Sequence, residues 1–280
     1  MSSTVNANPL VRQFTVKRIR DSQAERIIDT VAAEEPLEIR IRYWFKDAAL
    51  TQSVAVTMRT PGNDRELAAG FLQSEGIIRS REDLADLRAL GSGPSNEIVA
   101  ELGKHVDFES WRTARATFVS SSCGICGKRS REALSAEIPP PVCDNFEIRQ
   151  ELIERLPALL GEQQAGFAQT GGLHAAALIN SVGRIEAAFE DIGRHNALDK
   201  LIGWCVLNGK TPLTDYVLFL SSRSSFELIQ KAAMAGATVL ATVGGPSSLA
   251  IEAAREHSIT LIGFVREKRL NIYSGDWRVR

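Results

Sequence analysis

Tyr216-Val217-Leu218-Phe219-Leu220-Ser221-Ser222-Arg223-Ser224-Ser225 is a short apolar run that ends abruptly in hydroxyls and one guanidinium. Apolar residues without alternation predict a strand buried on both faces, as inside a parallel sheet. The hydroxyl run predicts a loop entering a helix, over residues 225–235. The pattern then repeats: residues 238–243 read as a strand, 248–256 as a helix and 259–265 as a strand. Short apolar strands alternating with helices predict right-handed βαβ units, in a mostly parallel sheet covered on both faces. Upstream, residues 174–180 and 184–190 read as a hairpin turning at Ser181-Val182-Gly183, while 148–160 and 194–206 read as helices.

Pro139-Pro140-Pro141 is the clearest linker, because three prolines cannot continue a helix. Before it, residues 36–43, 52–58, 97–102 and 113–119 read as strands, and 65–75 as a helix capped by Asn63 or Asp64. A short acidic helix is expected near residues 82–87. Residues 1–30 lack sustained periodicity and are expected to form a partly ordered arm. The expected organisation is that arm, a mixed α/β region over 31–142, and a C-terminal α/β/α domain over 143–280.

With 280 residues, 44% hydrophobic and 24% charged, the chain can build a real core. A net charge of −1 gives no sign of bulk nucleic-acid or membrane-surface binding. No apolar run approaches the roughly 18–20 residues that cross a bilayer. The polar start, Met1 to Asn8, lacks the order of a secretory signal. Four cysteines are too few for a disulfide scaffold, so a reducing, cytoplasmic setting is expected.

Ligands of such folds sit beyond the C-terminal ends of parallel strands. Three such ends are rich in hydroxyls, glycines or cations: 221–225, 244–248 (Gly244-Gly245-Pro246-Ser247-Ser248), and Phe264-Val265-Arg266-Glu267-Lys268-Arg269. Free N–H groups at helix N-termini suit an anion, and an arginine fork suits a phosphate. No P-loop or G-x-G-x-x-G fingerprint is present.

The other chemically distinctive stretch is Ser120-Ser121-Ser122-Cys123-Gly124-Ile125-Cys126-Gly127-Lys128-Arg129. Cations beside a thiol lower its pKa and raise the thiolate fraction. A zinc site would use Cys123, Cys126 and Cys143, but Phe146 stands where a fourth ligand is due. A thioredoxin-like dithiol belongs near an N-terminal βαβ unit, and this pair is mid-chain. Two inert core cysteines would not keep such polar surroundings. A nucleophilic or sulfur-carrying thiol on a loop suits them best. His174 and His195 both begin elements, yet a zinc deaminase needs H-x-E before P-C-x-x-C, which the order here excludes. Read conservatively, His174 is a core histidine, Asp191 a helix cap, and Asp199 and Lys200 a solvated face.

The chain resembles the FdhD family, the formate dehydrogenase accessory sulfurtransferases. The resemblance rests on Ala33-Glu34-Glu35-Pro36-Leu37, on residues 70–78 and on Cys123-Gly124-Ile125-Cys126-Gly127. It also rests on 170–176, on Glu190-Asp191-Ile192-Gly193-Arg194-His195-Asn196-Ala197-Leu198-Asp199-Lys200, on 221–227 and on 261–264. It implies a cytoplasmic homodimer, with a C-terminal part like cytidine deaminases in fold. Such a protein takes sulfur from a cysteine desulfurase and passes it to the molybdenum bis-molybdopterin guanine dinucleotide (or its tungsten counterpart), activating formate dehydrogenase. By the same resemblance Cys123 carries the persulfide, Cys126 assists it, and residues 264–269 meet the pterin cofactor. The family has Pro-Gly where this chain has Glu267-Lys268. The rival expectation is a non-catalytic chaperone for the cofactor or the apo-enzyme.

Overall fold

The computed structural model describes residues 10–90, 95–109, 138 and 146–280. It begins with β1 (Val11–Arg20) and β2 (Gln23–Ala32), an antiparallel hairpin in register from Val11↔Ala32 to Arg20↔Gln23. Asp21 and Ser22 at its turn both have positive φ, the combination that matches the twist of the flanking strands. From residue 11 onward, then, the expected arm is a hairpin. β1 is exposed along almost its whole length and β2 over its first half, and neither strand has a fully buried residue, so no inward–outward alternation marks them in the sequence.

A four-stranded sheet follows, ordered β4-β3-β6-β5, from β3 (Glu35–Phe45), β4 (Ala48–Arg59), β5 (Leu84–Ala89) and β6 (Glu97–Leu102). Helix α1 (Asp64–Ser74) starts from Asn63 and closes over it. Leu37, Ile39, Ile41, Leu67, Leu72, Ile98 and Leu102 form one buried cluster, and each such side chain contributes about 1.5–3 kcal/mol through burial. The acidic helix expected near 82–87 is instead a single 3-10 turn, Arg81–Asp83, running into β5. A bulge between Leu84 and Asp86 resets the strand's phase. Leu84 and Leu87 are therefore both buried at a spacing that imitates a helix.

The C-terminal sheet has six strands in the order β12-β11-β10-β9-β7-β8. They are β7 (His174–Asn180), β8 (Ile185–Asp191), β9 (Tyr216–Leu220), β10 (Val239–Thr242), β11 (Thr260–Arg266) and β12 (Arg269–Ser274). Only β9, β10 and β11 pair in parallel; the β7–β8, β7–β9 and β11–β12 pairs are antiparallel. The sheet is thus mixed rather than mostly parallel. Helix α2 (Gln150–Gly161) covers one face, through Ile153, Leu156 and Leu160. Between α2 and β7 lies the short α3 (Ala165–Thr170). The other face carries α4 (Arg194–Leu207), α5 (Phe226–Met234) and α6 (Ser248–Glu256), giving the expected three layers.

α1 is also packed on α4, so one hydrophobic cluster runs from the N-terminal sheet into the C-terminal layers. Two glycines permit this approach. A Cβ on Gly70 would lie 1.8 Å from the Asp199 carbonyl oxygen, and one on Gly203 would lie 1.8 Å from that of Glu66. The two helix backbones touch where any side chain would hold them apart.

Candidate functional site

Because β9, β10 and β11 are parallel, Leu220, Thr242 and Arg266 end along a common edge of the sheet. The antiparallel β7 brings its first residue, His174, to that edge, and β8 ends there at Asp191. The three loops singled out in the sequence meet and bond to one another. Gly244 N donates to Ser222 O, Ser247 N to Ser224 O, and Phe264 N to Gly244 O, each at 3.0 Å. A Cβ on Gly244 would fall 2.9 Å from Arg223 Cα, and one on Gly245 would fall 2.5 Å from the Phe264 ring. Phe264 is 38% exposed and has φ 53°. Holding a bulky residue in that left-handed region costs of order 1–3 kcal/mol, a strain typical of functional sites.

Helices α5 and α6 open from this edge. Ser247 caps α6, accepting from Ala250 N at 3.2 Å. Ser225 makes no such cap on α5; its hydroxyl donates to Glu227 Oε2 at 3.0 Å. The Ser224 hydroxyl is buried and, among the described residues, has no hydrogen-bond partner. An orphaned hydroxyl beside a helix N-terminus fits an oxyanion ligand. Arg223, Lys268 and Arg269 are exposed at the rim.

The segment 264–269 is not the simple post-strand loop that the sequence suggested. Glu267 and Lys268 form the tip of the β11–β12 hairpin, with Arg266 opposite Arg269 and Lys268 at φ 58°. Val265 is fully buried, so its side chain belongs to the core. Arg266 Nη1 donates to Val243 O at 2.7 Å and to Val265 O at 2.8 Å, tying β11 to the end of β10. β12 went unread because its residues alternate weakly and open on a charged turn.

Next to the crevice lies a buried polar layer that the sequence concealed. Asp199 and Lys200, read as a solvated face, are 3% and 1% exposed. Lys200 Nζ lies 2.8 Å from Asp191 Oδ2 and donates to Thr60 O at 2.9 Å. Asp191 also accepts from Thr60 N at 3.1 Å, Gly193 N at 2.8 Å and Asn196 Nδ2 at 3.1 Å. Asp199 takes Lys231 Nζ at 2.8 Å on both oxygens and the Ser74 hydroxyl at 2.9 Å. Burial raises the Asp199 carboxyl, and Lys231 and Ser74 act against that rise. His195 Nε2 lies 3.3 Å from Glu227 Oε2. Burial, then Arg194 and Lys231, push His195 down to about 4, so it is neutral at pH 7. Burial and Arg194 also lower His174. One signal was present in the sequence: His195 and Asp199 on α4, and Glu227 and Lys231 on α5, repeat the same four-residue spacing.

Cys123, Cys126 and Cys143 lie outside the described residues, as do the expected strand 113–119 and the proline linker. Cys205 is buried within α4, and burial pushes its thiol up to about 12, so it is inert at neutral pH. Among the described residues, no group of three or more His, Cys, Asp or Glu is arranged to hold a metal. No helix among them is long and apolar enough to cross a membrane.

A family model described as FdhD/NarQ matches residues 32–280. The chain belongs to the FdhD/NarQ family. A relative from Streptomyces coelicolor, named Sulfur carrier protein FdhD, is 43% identical over 272 residues, with 94% of each chain covered. One of the same name from Saccharolobus solfataricus is 38% identical over 269 residues, covering 96% of this chain and 98% of its own. A crystal structure from Desulfotalea psychrophila, of a chain named there as a candidate formate dehydrogenase accessory protein, superposes with a TM-score of 0.75 at 22% identity. That likeness covers 97% of this chain and 100% of the other and extends to the fold. The FdhD/NarQ membership agrees with the family resemblance carried by the sequence motifs.

Proposed function

We propose that this protein is a sulfur carrier that serves formate dehydrogenase. Cys123 takes the outer sulfur of a cysteine desulfurase persulfide: its thiolate attacks that sulfur, a new S–S bond forms, and the donor cysteine leaves as thiolate. Cys126 stands beside it to assist or protect the persulfide. The sulfur acceptor is the guanylylated molybdenum pterin, a substrate here, whose diphosphate the strand-end crevice receives. The observation that carries the reading is this crevice, with its orphaned Ser224 hydroxyl, the open N-terminus of α5 and the cations at 223, 268 and 269. Relatives named as sulfur carriers over nearly the whole chain support it. In a reducing cytoplasmic setting the Cys123 and Cys126 thiols would be kept from oxidation to a disulfide, leaving Cys123 free to accept sulfur.

Guanosine diphosphate is expected to bind in calorimetric titration, and Arg266→Ala with Arg269→Ala to weaken it at least tenfold, since charge-assisted hydrogen bonds contribute about 1.5–3 kcal/mol each. Unchanged affinity would remove the crevice from the reading. Incubation with a desulfurase and cysteine should leave Cys123 one sulfur atom heavier by mass spectrometry. Reproducible absence of that adduct, with nucleotide binding intact, would favour a chaperone that only holds the cofactor.

The working form is proposed to be a homodimer joined through the β1–β2 hairpin. A lone two-stranded hairpin is marginal in water. Here Ile19 and Ile28 are 67% and 69% exposed. Ile28 stands opposite Thr15, so the pair shares a face with Ile19. Ile19→Lys with Ile28→Lys is expected to halve the mass measured by light scattering; a persistent dimer would refute that interface.

A further inference from the structure

β7 and β8 bring a further corner to the crevice, beyond the three loops that line it. His174 opens β7 and stands opposite Asp191, the last residue of β8. This corner is tied to the end of β9: Ser221 N donates to Ala175 O at 3.0 Å, and Ala175 N donates to the Ser221 hydroxyl at 2.9 Å. Arg194 then begins α4, where Gly193 at the N-cap brings no side chain to the first turn. Neighbouring strands lie about 4.8 Å apart, so β7 stands roughly 10 Å along the edge from β10, with β9 between them.

The charges of this corner are engaged, with one exception. Asp191 holds Lys200 and Asp199 holds Lys231, each at 2.8 Å. Glu190 accepts from Gly166 N and Phe167 N, both at 2.8 Å, and Glu227 accepts from the Ser225 hydroxyl at 3.0 Å. Arg194 is half-buried, and among the described residues its side chain makes neither an ion pair nor a hydrogen bond. Its place also disfavours a cation, because the first turn of a helix is the positive end of the dipole.

Two histidines report where this charge lies. Burial first, and then Arg194, lower both His174 and His195. An effect on His174 sets the guanidinium at the strand-end edge, since β7 begins there. The lowered imidazoles are neutral at pH 7 and add no positive charge of their own. A guanidinium kept against a helix dipole, without a carboxylate, at the rim of a ligand crevice lacks an anion, and its planar fork suits one.

The substrate assigned to this crevice has two anionic parts. One is the diphosphate, and the cations at 223, 268 and 269 lie on the β9–β11 side for it. The other is the metal–dithiolene head, set apart from the diphosphate by the pterin rings. We propose that Arg194 forms a second anion subsite of the crevice, which grips this head while the diphosphate sits at the N-terminus of α5. The subsite rests on the reading of the crevice given above and sets the direction in which the substrate lies along the edge.

Molybdate is the probe, titrated calorimetrically into the full chain with and without saturating guanosine diphosphate. One molybdate per chain is expected to bind beside the nucleotide. Arg194→Gln should weaken it at least tenfold, with the thermal midpoint and the guanosine diphosphate affinity as in the wild type. Arg194→Lys, which keeps the charge and loses the fork, should fall between the two. No binding of molybdate at about 10 mM, where a millimolar site would be nearly saturated, overturns the subsite. So does binding indifferent to Arg194→Gln, or a variant that loses guanosine diphosphate together with molybdate, which would make Arg194 a diphosphate contact instead. If the wild type fails to bind the nucleotide while molybdate still depends on Arg194, the diphosphate reading falls and the anion subsite stands.

Discussion

A chain carrying Cys123→Ala is expected to fold, dimerise and bind guanosine diphosphate as the wild type does, yet to leave formate dehydrogenase wholly inactive in a cell lacking the native protein. The effect should be complete rather than graded, because a persulfide needs a sulfur to be built on. Cys205 cannot replace it: the side chain is sealed inside α4 and its thiol is pushed up to about 12. Cys143 has no cation among its immediate neighbours, Val142 and Asp144, to favour a thiolate, whereas Cys123 and Cys126 precede Lys128, Arg129 and Arg131. Formate-dependent dye reduction in the complemented strain is the measurement. Activity near wild type would remove Cys123 from the mechanism while leaving the crevice untouched.

Lys200→Met is expected to cost about 3–5 kcal/mol in urea unfolding, a large share of the roughly 5–15 kcal/mol that holds a typical domain together. Lys200 and Asp191 are 1% and 0% exposed as side chains. Truncating the lysine strands a carboxylate where water cannot reach it, and also removes the donor that Lys200 supplies to Thr60 O and Glu190 O at 2.9 and 3.2 Å. Pairing the change with Asp191→Asn should recover part of the loss, because the double variant leaves no lone buried charge. If Lys200→Met unfolds within about 0.5 kcal/mol of wild type, the pair contributes little to stability.

How much of this could be read beforehand depended on where burial is two-sided. β9, whose bounds match the expected 216–220, shows an unbroken apolar run because both its faces are covered. The crevice loops were legible for a related reason: hydroxyls, glycines and arginines interrupt such runs sharply. β1 and β2 were illegible because this chain alone buries neither of their faces. The polar layer under the crevice was misread for the opposite reason. Asp199 and Lys200 look like surface residues until α5 supplies Lys231 and β8 supplies Asp191. Partners that arrive from distant elements leave no local mark. The C-x-x-C loop, the most telling stretch in the sequence, lies outside the described residues, so its argument rests on residue chemistry.

The glycine contact between α1 and α4 also bears on how the protein is made. Chains leave the ribosome N-terminus first, and the strands and helix over residues 35–102 emerge well before 194–207. Gly70 and Glu66 meet Asp199 and Gly203 only when that later segment appears. At about 5–20 residues per second, several seconds to tens of seconds pass with the outer side of α1 bare. For that interval the nascent half-protein is a natural client for a holding chaperone, and slow translation between the two helices would lower the yield of finished molecules.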